Sequence, residues 1–155
     1  MYTILISKTD DEIKETSNEL CSGTEQVQIL DNKIPPAHRE YPFFRINTAK
    51  GIYNIPYSDI LFVESGQKKS FIHLTNNTIC LPLPLYRIRE ILPESFFIQT
   101  HRSFIVNLKK ISYIDKTKDT WVISFFGSKK TAFISRSFKK DVMQVITPFL
   151  NYVVD

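Results

Sequence analysis

The 155-residue sequence predicts a mainly β domain preceded by a small β-α-β extension. From Phe43 onward, short apolar runs alternate with turn residues, the spacing of antiparallel hairpins. Eight prolines against four glycines, with 13% aromatic residues, favour short strands and turns over a helical bundle. Charge also divides the chain. Residues 1–42 hold four Lys or Arg against eight carboxylates, a balance of −4, whereas the remainder holds sixteen against eight, a balance of +8. A basic segment suits a polyanion partner, and an acidic one suits modulation or protein contact. At 43% hydrophobic, the chain can bury one main core but not two full domains.

The extension, residues 1–42, begins with a strand from Tyr2 to Ser7. Thr9-Asp10-Asp11-Glu12 then matches a capping box, opening a helix with Ile13, Ser17 and Leu20 on one face and Gly23 at its end. A second strand, Gln26 to Leu30, runs into Ile34-Pro35-Pro36, whose prolines restrict the backbone as a linker does. The main domain, residues 43–155, offers FFRINT, GIYNIP, DILFVE, SFIHLT, TICLPL, FFIQT, ISYID, TWVISFF and KTAFIS as strands. Turn chemistry falls between them at Ala49-Lys50-Gly51, Asn76-Asn77 and Gly127-Ser128. Leu85 to Leu92 reads as a two-sided helix stopped by Pro93. After Arg136, the recurrence of Phe138, Val142, Val145, Ile146 and Phe149 predicts another that Pro148 kinks or ends.

Several function classes find no support. The start MYTILISKTDDE lacks a basic leader and no run approaches the roughly 20 apolar residues of a membrane helix, so a cytoplasmic protein is expected. Cys21 and Cys80 stand far apart and His38, His73 and His101 are scattered, which argues for buried thiols and against metal. With no paired carboxylates, serine-histidine-aspartate pattern or phosphate loop, neither an enzyme, a cofactor nor a small-molecule substrate is expected.

What remains is basic. Gln67-Lys68-Lys69, His101-Arg102-Ser103, and Arg136 with Lys139 and Lys140 fall at strand ends or turns. Arginine's planar fork can bond guanine O6 and N7 together, while lysines neutralise phosphates. Composition alone does not separate this from solvated surface.

The series IPYSDILFVES, LPLYRIREILPESFFIQTHRSFIVNLKKISYID and AFISRSFKKDV resembles the LytTR family of bacterial DNA-binding output domains over about residues 43–150. The resemblance implies an elongated fold of about ten short strands in small sheets with one or two helices. It also implies sequence-specific regulation of transcription, with loops entering successive major grooves of double-stranded DNA. Arg102 and Arg136 fall on family positions that contact bases, so His101-Arg102-Ser103 becomes the tip of a reading loop. The alternatives are an internal ion pair for Arg102 and a helix cap for Arg136. His101 either orients its loop or touches DNA, Asn107 is read as a core amide, and Glu64 as a structural partner of a cation. Gly66-Gln67-Lys68-Lys69-Ser70 departs from members with a base-contacting residue there, which leaves phosphate contact as the role of Lys68 and Lys69. The extension is too short for a phosphorylated receiver, despite Asp10 and Asp11. Dimerisation on direct repeats, or contact with a regulator such as a membrane-bound inhibitor, is expected of it. An RNA-binding or protein-interaction β module is the alternative for the whole.

Overall fold

The computed structural model describes residues 43–154, so the expected β-α-β extension and its linker lie outside the described residues. Among the described residues, ten strands form three antiparallel sheets. The first is a hairpin of β1 (Phe43–Thr48) and β2 (Gly51–Pro56). The central sheet runs β5-β4-β3-β7-β6, built from β3 (Ile60–Gly66), β4 (Lys69–Leu74), β5 (Thr78–Leu81), β6 (Phe97–His101) and β7 (Phe104–Asn107). The third runs β10-β9-β8, from β8 (Ile111–Asp115), β9 (Trp121–Phe125) and β10 (Thr131–Ile134). Two helices complete the fold: α1 (Leu85–Ile91) and α2 (Lys139–Ile146), the latter led by a 3-10 turn over Arg136–Phe138. Pro148 falls in a further 3-10 turn, Thr147–Phe149, just past the end of α2.

The central sheet is covered on both faces. One core joins Phe44, Ile46 and Ile55 of the hairpin to Val63, Ile72, Ile79 and Ile105 of the sheet and to Leu85 and Ile88 of α1. The other joins Phe62, Phe104 and Val106 to Ile123, Phe125, Ala132 and Ile134 of the third sheet and Val142 of α2. Burial on both sides explains why β3 opens with four buried apolar residues, Ile60 to Val63, instead of alternating. An irregularity in register between Ile60 and Phe62 puts Leu61 and Phe62 into the same core.

Among the described residues, every buried polar side-chain atom has a hydrogen-bond partner. Asn107, 1% exposed, donates through Nδ2 to the carbonyls of Tyr57 (3.2 Å) and Ile60 (2.9 Å), and its Oδ1 accepts from Lys109 N at 3.0 Å. It is the core amide expected. Glu64 Oε2 lies 2.9 Å from His73 Nε2, and the imidazole stacks on Phe62. Glu64 is thus partnered by an imidazole and not by a lysine or arginine, and burial, more than the opposing Glu64 hydrogen bond, pulls the His73 pKa below its ordinary value. Cys80 is buried, as expected, and Cys21 lies outside the described residues.

Candidate nucleic-acid interface

The β3–β4 connection is a two-residue hairpin turn: Gly66 pairs with Lys69, and Gln67 and Lys68 take φ of 51° and 64°. Both central residues are left-handed, as a tight hairpin that follows strand twist demands. Such turns ordinarily use Asn-Gly, because a Cβ is disfavoured at positive φ. Here two long polar side chains occupy the strained positions, and both are exposed. Strain held in an exposed turn points to use of the side chains.

The β6–β7 turn, His101 to Phe104, lies beside it because β3 and β7 pair antiparallel, and Ser65 N donates to Ser103 O at 2.9 Å across the gap. His101 shapes this turn from inside: its Nδ1 accepts from Ser103 N at 3.0 Å, and its ring meets Phe104 edge-on. Burial, and then the Arg102 charge, lower the His101 pKa, which keeps Nδ1 free to accept. His101 thus orients the loop. Arg102 is exposed at its tip, with no side-chain hydrogen bond or ion pair among the described residues, so the internal ion pair is not formed.

The third basic segment reaches the same end by another route. Ser135 N donates to Thr100 O at 3.0 Å, and buried Thr100 Oγ1 donates to Phe133 O at 2.8 Å. These bonds stitch the end of β10 to the end of β6, two residues before Arg102. Arg136 opens the 3-10 turn but makes no cap; it stands 3.5 Å from Asp119, and both side chains are over 80% exposed. Lys139 lies over the Trp121 ring at 4.9 Å, and Lys140 is exposed. Three segments far apart in sequence therefore share one end of the sheets.

Sequence reading missed three residues of this surface. A concavity of about 390 Å³ between the β3–β4 turn and α1 is lined by Tyr86, Arg89 and Gln99 as well as Lys68, Lys69 and Arg102. Arg89 Nη1 donates to Gln99 Oε1 at 2.7 Å, and Gln99 Nε2 donates to His101 O at 3.2 Å. The signal was available: Leu85, Ile88 and Leu92 face the core, which leaves Tyr86 and Arg89 together on the outer side.

Comparison with known proteins identifies the family and the fold. The family model of the LytTr DNA-binding domain matches residues 50–147. The chain belongs to the LytTR family. It is 26% identical over 129 residues to the transcriptional regulatory protein YpdB of Escherichia coli K12, covering 83% of this chain and 53% of that protein. It is 34% identical over 79 residues to the transcriptional regulatory protein NatR of Bacillus subtilis, covering 50% of this chain and 34% of that protein. The chain thus spans about half the length of YpdB. A solved LytTr DNA-binding domain from Bacillus cereus superposes with a TM-score of 0.59 at 24% identity, covering 68% of this chain and 96% of that one. The strand-rich fold with two helices is therefore the LytTR fold, as the sequence predicted. Among the described residues, no helix is long and apolar enough to cross a membrane.

Proposed function

We propose that this protein is a cytoplasmic, bacterial, sequence-specific regulator of transcription that reads successive major grooves of duplex DNA through strand-connecting loops. Arg102 and Arg136 are the base readers. Ser103 and His101 fix the first reading loop, and Gln67, Lys68, Lys69, Lys139 and Lys140 meet the sugar-phosphate backbone. One observation carries this reading: the Ser65–Ser103 and Ser135–Thr100 backbone bonds gather all three basic segments at one end of the sheets. Arginine forks on short, braced turns suit bidentate base contact, which is lost when the fork is misplaced.

The protein works as a dimer on direct repeats, with residues 1–42 as the assembly element or the seat of a regulator. Selection of bound fragments from a random duplex pool tests the reading and returns the site. A recovered motif in two copies at constant spacing supports it. Recovery of no motif, together with stronger competition by single-stranded RNA than by duplex DNA, would favour an RNA-binding module instead.

A further inference from the structure

The concavity between the β3–β4 turn and α1 has a chemistry that the two reading arginines do not use up. Lys68, Lys69, Arg89 and Arg102 line it, and no carboxylate does. Lys68, Lys69 and Arg102 make no side-chain hydrogen bond or ion pair among the described residues. Arg89 differs, because Gln99 holds its guanidinium by one Nη1 bond of 2.7 Å, which leaves the remaining N–H donors of the fork for another acceptor. Tyr86, 63% exposed, adds a hydroxyl at the rim.

Building on the DNA-binding reading above, we infer that this concavity is a phosphate seat with Arg89 as its pre-oriented planar ligand. A base edge is met by a tip that protrudes into a groove. A concave, carboxylate-free surface lined by four cations instead suits a group that is itself convex, anionic and rich in acceptors. Gln99 serves as the positioning residue. Its amide bridges Arg89 to the backbone of His101, so a phosphate on Arg89 is held in register with the loop that carries Arg102. The phosphate can come from the DNA backbone or from a free phosphorylated compound, and the two sources separate experimentally.

Arg89→Gln in the full chain removes the charge but keeps an amide beside Gln99. For a DNA phosphate, the slope of log affinity against log salt falls by about 1, equally on the selected and on a random duplex, with base preference unchanged. Arg89→Lys restores that slope. For a free phosphate compound, duplex binding is unaltered. Pyrophosphate added at constant ionic strength then produces saturable shifts of the Tyr86 ring resonances in the wild type and none in the variant. The seat is refuted if neither assay responds, or if Arg89→Gln weakens only the selected duplex and changes the preferred base at one position, which makes Arg89 a reader. Should Arg89→Gln lower the thermal midpoint, Lys69→Gln, which breaks no described side-chain bond, is read by the same assays. A wild type that binds no duplex would refute the DNA reading, and the pyrophosphate titration would then decide the seat alone.

Discussion

Replacing Gln67-Lys68 by Asn-Gly should strengthen the fold and weaken DNA binding together. The two residues sit at φ of 51° and 64°, where an L side chain costs roughly 1–2 kcal/mol. Asn tolerates this region and Gly meets no Cβ clash there, though glycine's greater freedom in the unfolded chain returns about 0.5–1 kcal/mol. The net gain is therefore about 1–2 kcal/mol, which for a chain of 155 residues raises the thermal midpoint by roughly 2–4 °C per kcal/mol. Meanwhile the turn loses the Lys68 charge, so affinity for every duplex should fall and the salt slope should drop by about 1. Thermal denaturation and a salt series on selected and random duplexes read the two effects separately. A lower midpoint would refute the claim that the turn is strained. A higher midpoint with unchanged DNA affinity would refute the claim that its side chains are kept for binding.

Arg102→Ala should cost about 1–3 kcal/mol on the selected duplex while leaving thermal stability unchanged, because the side chain is an unpartnered fork; equal loss on random DNA would make it a phosphate contact. Asn107→Ala should destabilise by about 2–4 kcal/mol in chemical denaturation, since two buried carbonyls and one N–H lose their partner, and a loss below about 1 kcal/mol would contradict that accounting. Acidification below about pH 6.5 should lower stability. His73 and His101 both have folded pKa values below the ordinary 6.5, so their contribution is complete above that pH and is lost as pH falls through the folded values. Stability that holds or rises between pH 7 and pH 5 would rule this out.

Local structure was legible where it depends on local chemistry. Nine strands, the two helical pieces and three turns could be read from apolar spacing, Gly, Asn and Pro, because each of those signals acts within a few residues. The tenth strand, Phe104–Asn107, was legible only as the apolar run on the far side of the His101-Arg102-Ser103 tip, without bounds of its own. Non-local pairing was not legible. Nothing within β3 says that its neighbour is β7, about forty residues on, yet that register sets the first two basic turns side by side. The Gln67-Lys68 turn was placed, but its tight form escaped for the opposite reason: its residues contradict the conformation they adopt, so propensity pointed away from a two-residue hairpin. Arg89 and Gln99 were missed because their significance lies in a contact between α1 and β6. Nor could the sequence reveal that His73, and not a lysine or arginine, partners Glu64, since that pairing runs across two strands of one sheet.

The seam at Thr100 makes Arg102 and Arg136, the two arginines proposed to read bases, parts of one ruler. Arg102 follows Thr100 by two residues and Arg136 follows Ser135 by one, and two bonds of 3.0 Å and 2.8 Å lock their roots together with a side chain that is fully buried. No flexible tether intervenes to absorb a change in the distance between the base positions they address. A binding site should therefore forgive substitutions, each at the cost of one lost contact, far more readily than the insertion of a single base pair between the two arginines' positions. Such an insertion would also rotate one position around the duplex, and should abolish specific binding while leaving the salt-dependent affinity for random DNA intact.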